Sequence, residues 1–162
     1  MPQSYFNLVR VGMILYGAYP SDETPESINL EPVMNFMGPI VQLKRVKAGT
    51  PVSYGSDYAP DSDAYIAVVQ AGFADGMPRN WFKKGYVGYR GRNYPIAGRV
   101  CMDQFMVNFG DDEPAIGDHV LIFGDDGESR ILIEEIARAT DLTPYVLMTA
   151  IGGRTRRIYV EG

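Results

Sequence analysis

Phe105–Met106–Val107–Asn108–Phe109 decides the fold class, because its three bulky residues at odd positions fall on one side of an extended chain whose side chains alternate with period two. Stretches of the same kind recur on both sides of it. Candidate strands are Ile40–Lys47, Tyr65–Ala71, Tyr86–Arg90, Asn93–Ala97, Gln104–Phe109, His119–Phe123 and Ile158–Val160, each bounded by Gly, Pro, Asp or Asn. Tyr65–Ile66–Ala67–Val68–Val69 is apolar on both faces and belongs in the middle of a sheet, whereas Phe105–Phe109 reads as half solvated. Short strands at this spacing, with 18 glycines and 11 prolines to turn them, predict a mostly β fold, a barrel or a sandwich.

Two short helices are expected near the end. Ile133, Ile136, Ala137 and Thr140 recur at helical spacing, as do Pro144, Leu147, Met148 and Ile151, with Thr143 placed as N-cap and Pro144 at the first helical position. Ser21–Asp22–Glu23–Thr24–Pro25–Glu26 is acidic and reads as an exposed connector to the β-rich body.

With 162 residues and 18.0 kDa the chain holds one domain with one core and is too short for two of ordinary size. A net charge of −5 and a pI near 4.8 have the wrong sign for gripping a polyphosphate backbone, so nucleic acid is not an expected partner. No apolar run approaches the ~20 residues of a bilayer span, which leaves a membrane out as well. Cys101 is the single cysteine, excluding an internal disulfide and fitting a reducing compartment, and no signal peptide is read in Met1–Arg10; a cytoplasmic location is expected.

The generic catalytic inventory is thin. His119 is the sole histidine and sits at a strand start, so a multi-histidine metal site is excluded, no metal is expected, and a solvated strand-end role is its simplest reading. Cys101 precedes Met102 in an apolar stretch with Arg99 as its one basic neighbour, and reads as packing rather than as a nucleophile. No phosphate-binding P-loop, dinucleotide fingerprint or serine-hydrolase elbow occurs, which leaves tyrosine, arginine and loops.

Five ordered stretches carry more. They are Phe6–Asn7–Leu8–Val9–Arg10–Val11–Gly12 with Leu15–Tyr16–Gly17; Pro51–Val52–Ser53–Tyr54–Gly55; Gly72–Phe73–Ala74–Asp75–Gly76; Gly98–Arg99–Val100–Cys101–Met102–Asp103–Gln104; and Thr143–Pro144–Tyr145 followed by Arg154, Arg156, Arg157 and Tyr159. Together they resemble the C-terminal portion of alanine racemase, a pyridoxal-phosphate enzyme family. The resemblance implies a β-barrel-like C-terminal domain that follows an N-terminal (β/α)8 barrel. Here it begins only at the last barrel strand, so the barrel is expected to be absent. Residues 1–17 would be the remnant of that strand and its turn, 18–35 the connector and 36–162 the β-rich domain.

What the family does implies roles residue by residue. Tyr54 resembles the catalytic tyrosine that removes the Cα proton of the L-enantiomer, reaching into the barrel of a partner subunit in a homodimer. A phenol titrates near ~10, so that role needs neighbours that favour the phenolate, some of them in the barrel. Arg10 resembles the arginine facing the pyridine nitrogen of pyridoxal 5'-phosphate, where a guanidinium that never gives up its proton keeps that nitrogen unprotonated. Gly12 and Met13 follow the last barrel strand, a place where (β/α)8 proteins bind phosphate through backbone N–H groups, and Tyr145 resembles the tyrosine that contacts the same phosphate. Met102 resembles the residue whose backbone N–H meets the substrate carboxylate. Asp103, Arg99, Arg79 and Phe73 resemble the lining of the entrance for a small zwitterion, with a surface ion pair as the alternative for the charged residues. Phe73 departs from the tyrosine that many relatives carry, which removes a hydroxyl from the inner gate.

The cofactor lysine of the family has no counterpart. Lys44, Lys47, Lys83 and Lys84 match nothing catalytic, so the chain alone is expected to be inactive and to bind pyridoxal phosphate weakly or not at all. The activity implied for the whole enzyme is interconversion of L- and D-alanine, supplying D-alanine to the bacterial cell wall. Two alternatives remain open at this level: a stand-alone, non-catalytic β-barrel binding module, and a racemase of the same plan for serine or a broader range of amino acids. Pyridoxal-phosphate decarboxylases of similar plan fit Gly98–Gln104 less well. The opening segment Tyr5–Gly17 is expected to be the least stable part, since Phe6, Leu8, Val9, Ile14 and Leu15 are apolar without an evident surface to bury.

Overall fold

Alternating apolar segments become antiparallel strands, seven of them among the described residues. The computed structural model describes residues 6–21, 23–25 and 27–160. Tyr5 of the opening segment, Asp22 and Glu26 of the connector and the ends of the first and last expected domains lie outside the described residues. The strands are β1 (Phe36–Val46), β2 (Ala64–Val69), β3 (Tyr86–Tyr89), β4 (Arg92–Pro95), β5 (Phe105–Gly110), β6 (His119–Asp125) and β7 (Arg130–Ile131). Their order is β4-β3-β6-β1-β2-β5, with β7 paired to β6.

The 11-residue β1 serves both halves of the sheet. Phe36–Pro39 pairs with β6, where Pro39 lies opposite His119, and Ile40–Val46 pairs with β2, from Ile40 opposite Val69 to Val46 opposite Ala64. The register shifts at both Phe36/Met37 and Ile40/Gln42, and such irregularities bend a strand and sharpen its twist. Curvature of that kind brings the two ends of the sheet together. Ile96, just past β4, bridges Val107 of β5, and the Ala97 amide donates to the Met106 carbonyl over 2.7 Å. The mostly β fold is thus a closed barrel, and closure removes the open edges that an unpaired sheet would present.

Phe105, Val107 and Phe109 are buried in the main core cluster, which also takes in Val120, Leu121 and Ile122 of β6. β2 sits between β1 and β5, the central place its composition required. The expectation that β5 is half solvated is corrected on its second face. Met106 is buried there in a smaller cluster with Val52, Ala64, Ile66 and Ala97, and Asn108 Nδ2 donates to the Tyr58 hydroxyl at 2.5 Å. A loop that the strand pattern cannot foresee lies over that face.

Ile158–Val160 is not a strand. Ile158, Tyr159 and Val160 are all exposed and pair with no strand among the described residues. β-Branched and aromatic residues favour strands because they pack against cross-strand neighbours, and in the closed barrel no free edge is offered to them. The two-residue β7, by contrast, is too short to show alternation.

Both helices form where the spacing placed them: α1 (Ile133–Thr140) buries Ile133, Ile136, Ala137 and Thr140, and α2 (Pro144–Ala150) buries Pro144 and Leu147. Thr143 Oγ1 accepts the Val146 amide at 3.4 Å, the N-cap contact its position implies, and Pro144 occupies the first helical position. Ahead of the barrel, a 3-10 helix Gly12–Tyr16 anchors through buried Met13, while Phe6, Leu8, Val9 and Leu15 stay exposed.

Three phenols make part-buried bonds to carboxylates: Tyr86 donates to Glu135 of α1, Tyr89 to Asp118 Oδ2 at 2.6 Å and Tyr94 to Asp112 Oδ2 at 2.7 Å. Burial first, and the adjacent carboxylate second, raise all three above the ordinary phenol value, Tyr86 to about 12. A phenol raised on folding contributes stability that is intact below its unfolded value near 10 and is lost as pH climbs toward the folded one. Denaturant unfolding followed from pH 9 to 12 is therefore expected to show falling stability above about pH 10. Tyr86→Phe should flatten part of that fall, and an unchanged slope in the variant would remove Tyr86 as a cause.

Candidate functional site

Gly98–Gln104, the last seven of the nine residues between β4 and β5, turns back on itself, with the Cys101 amide donating to the Gln104 carbonyl at 2.9 Å. Two loops are fastened to it, one carrying Tyr54 and the other Phe73, while Arg99, Met102 and Asp103 lie on the connection itself.

The first loop holds Tyr54. Val52 and Tyr58 bridge across its base, the Val52 amide donating to the Tyr58 carbonyl at 2.8 Å. Inside it Ser53 adopts φ 71° and ψ 175°, a region that glycine enters freely and a serine at a cost of about 1–3 kcal/mol. Ser53 Oγ accepts the Arg99 amide at 3.0 Å and donates to the Arg99 carbonyl at 3.3 Å. The Arg99 guanidinium pairs with Asp57, whose carboxylate raises Arg99 above its ordinary value. Tyr54 itself is 74% exposed, its ring standing out from this clamped base.

The second loop holds Phe73. The Phe73 amide donates to the Cys101 carbonyl and the Ala74 amide to the Met102 carbonyl, both at 3.0 Å. Gly72 permits this approach, since a Cβ there would lie 2.2 Å from the Met102 carbonyl oxygen. Asp75 Oδ2 accepts the Gly72 amide at 2.9 Å. With the Cys101 carbonyl held by Phe73, the planar trans peptide directs the Met102 N–H to the opposite side, away from the loop. The Phe73 ring is 43% exposed, and the Arg79 guanidinium lies over it, 5.6 Å from its centroid.

Charge is concentrated at this mouth. Arg154 bridges Asp75 Oδ1, at 3.5 Å, and Asp103. The ion-pair alternative for the charged residues is thus partly realised, yet Arg99 and Asp103 take different partners, Asp57 and Arg154, rather than each other. Cys101 is half-buried, and burial pushes its thiol up, against the pull of Arg79 and Ser53, which is the opposite of what a nucleophile needs.

A third group lies between the opening segment and α2. Gly12 has φ +68°, and a Cβ on it would stand 3.7 Å from the Tyr145 hydroxyl, so the phenol lies close to the Gly12 backbone. Those are donors of the kind a phosphate dianion takes, and no carboxylate belongs to the set. Met13 follows Gly12 in the 3-10 helix, its side chain buried in the core. Arg10 is exposed on the segment just before them.

The structure thus gathers Tyr54 with Arg99, and Phe73 with Arg79, Met102 and Asp103, around one connection; Gly12, Met13 and Tyr145 form a second group. Asp75, Arg154, Asp57 and Ser53 were not assigned from sequence. Asp75 had a signal, a carboxylate three residues after a glycine at a helical turn. The others act through partners far along the chain or through an unusual backbone angle. His119 is exposed at the start of β6, apart from these groups. Among the described residues, no cluster of three or more His, Cys, Asp or Glu could hold a metal, and no helix is long and apolar enough to cross a membrane.

The family model for the alanine racemase C-terminal domain matches residues 33–159. The chain is 39% identical over 164 residues to the alanine racemase of Desulfosudis oleivorans, a match covering 100% of this chain and 42% of that protein. To that of Streptomyces coelicolor it is 37% identical over 163 residues, covering 99% and 42%. Among solved structures it superposes on alanine racemase from D-cycloserine-producing Streptomyces lavendulae with a TM-score of 0.91 at 40% identity, covering 100% of this chain and 43% of that one. On the Bacillus anthracis alanine racemase with bound L-Ala-P the TM-score is 0.85 at 32% identity, covering 93% and 39%. The chain spans less than half the length of these relatives.

Gly72→Ala is expected to force the Phe73 loop off the Cys101–Met102 carbonyls and to cost about 1–3 kcal/mol in denaturant unfolding. Arg154→Ala, which removes an exposed charge, should leave stability close to that of the parent. A Gly72→Ala chain as stable as the parent would contradict the close approach described here.

Proposed function

The chain belongs to the alanine racemase family, as its C-terminal domain, and on that premise we propose that it supplies one half of a pyridoxal-phosphate-dependent site that interconverts L- and D-alanine. The observation that carries this reading is the exposed Tyr54 phenol, projecting from a loop clamped at Arg99 beside a mouth lined by both signs of charge. A proton-transfer group that serves another polypeptide must stand clear of its own domain, and Tyr54 does. The three other phenols described above cannot take that part, because buried contacts with carboxylates hold their protons in place.

In the proposed reaction Tyr54 removes the Cα proton of L-alanine from one face and returns one to that face in the reverse direction. The opposite face belongs to a lysine outside this chain. Lys44, Lys47, Lys83 and Lys84 are all exposed, and Lys47 pairs with Asp63 at 2.7 Å, so none stands in an enclosed site of this domain. The backbone at Gly12 and Met13 and the Tyr145 hydroxyl would hold the cofactor phosphate, and Arg10 would face the ring nitrogen. The cofactor, when bound, supplies the electron withdrawal that makes the Cα proton removable.

Met102 would present its N–H to the substrate carboxylate, with Arg79, Arg99 and Asp103 around the entrance selecting a small zwitterion. Phe73 narrows that entrance with a ring but offers no hydroxyl. The site is completed in a homodimer, by the barrel of the second subunit, and the enzyme works in the cytoplasm to provide D-alanine for peptidoglycan.

Solvent exchange at Cα tests the assignment, because each face is read separately. In the holoenzyme, Tyr54→Phe is expected to slow deuterium entry into L-alanine by about 10²–10⁴-fold, the usual contribution of a positioned acid–base group, while entry into D-alanine persists. Unchanged entry into L-alanine would remove Tyr54 from the role.

A further inference from the structure

Ser53 combines two features that conflict unless its side chain has work to do. Its backbone lies at φ 71° and ψ 175°, where glycine is at ease and any side chain is strained, yet a hydroxyl is present. That hydroxyl makes a two-point contact with one residue, accepting from the Arg99 amide at 3.0 Å and donating to the Arg99 carbonyl at 3.3 Å. Room for the contact comes from Gly98, at φ +85°, where a Cβ would lie 2.4 Å from the Ser53 Cβ. The next residue in the chain is Tyr54. Beyond it Asp57 pairs with the guanidinium of the same Arg99. The tyrosine is therefore held from both sides of its own backbone, while its ring, being exposed, is not held by packing.

We propose that Ser53, seated against Gly98, is a positioning residue for Tyr54: it fixes the backbone from which the phenol projects and so sets where the hydroxyl meets the Cα of the substrate. The proposal rests on the assignment of Tyr54 given above. The side chain of Tyr54 has two rotatable bonds between Cα and ring, and a shift of about 1 Å in a reacting group is enough to cost about 10²-fold. A strained residue persists only where its surroundings determine it, and here the Ser53 hydroxyl is held by Arg99, with Gly98 giving it room and the Cys101 thiol beside it.

Two variants separate the hydroxyl from the strain. Ser53→Ala keeps the strained backbone and loses both hydrogen bonds; Ser53→Gly loses the bonds and relieves the strain, so it remains testable where the alanine variant fails to fold. In the 162-residue chain, backbone relaxation is expected to give the Tyr54 and Gly55 amides order parameters near 0.85 in the parent and below about 0.6 in either variant. In the holoenzyme, both variants are expected to slow deuterium entry into L-alanine by about 10²-fold and to leave entry into D-alanine within about two-fold. Parental order at Tyr54 and parental L-alanine exchange in both variants would overturn the proposal, as would equal losses on the two faces, which report general damage. If Tyr54→Phe spares L-alanine exchange while the Ser53 variants lose order at Tyr54, the base assignment fails and Ser53 is a staple of the loop only.

Discussion

The amide of Ala97 donates to the Met106 carbonyl across 2.7 Å, and with that bond the two ends of the sheet meet. The seven residues that follow Ala97 must then cross from β4 to β5 in a tight turn at the barrel's end. Their backbone groups are left facing outward, and each needs a partner. Arg99 finds Ser53 on one side; Cys101 and Met102 find Phe73 and Ala74 on the other. Closing the barrel therefore has a second effect: it fixes the two loops that carry Tyr54 and Phe73 to a common frame. Glycines at 72 and 98 are what the frame requires, since a single methyl group at either would collide with the residue being held.

The same molecule uses phenols in two opposite ways. Tyr86, Tyr89 and Tyr94 are sunk against Glu135, Asp118 and Asp112, where burial and negative charge hold the proton in place and the hydrogen bond joins elements distant in sequence. Tyr89 also meets Phe109 edge-on and Tyr94 lies against it at a tilt, with ring centroids 4.4 Å apart, so their rings are part of the core. Tyr54 has neither burial nor stacking. Its surroundings set where it starts and leave its end free, an arrangement suited to a group whose environment is completed by another polypeptide. Arg154, bridging Asp75 and Asp103, keeps charges of both signs at the mouth without neutralising it.

Features legible in the sequence were those decided by chemistry within a few residues. Phe105, Val107 and Phe109 announced a strand with one core face, and Thr143–Pro144 announced a helix start, because alternation and capping are local rules. Ile158–Val160 misled, since strand propensity registers the opportunity to pack against a neighbour and the closed barrel offers none there. Met106 falls on the side of β5 that alternation assigns to solvent, because nothing local shows that the Val52–Tyr58 loop lies over it. The site was legible as separate short stretches, through their family likeness. Its assembly was not, for the contacts join residue 53 to 99 and 73 to 101, and Ser53 stands where a positive φ would have led one to expect glycine.

Native-state hydrogen exchange of three amides, Ala97, Phe73 and Ala74, measures directly whether barrel closure and loop placement are one event. Phe73 and Ala74, although they lie in a surface loop, are expected to open with the same free energy as Ala97 and as the core amides of β5 such as Val107. Exchange of Phe73 and Ala74 at the rate of a free loop, with Ala97 still protected, would show that the Gly98–Gln104 connection closes the barrel without holding the site.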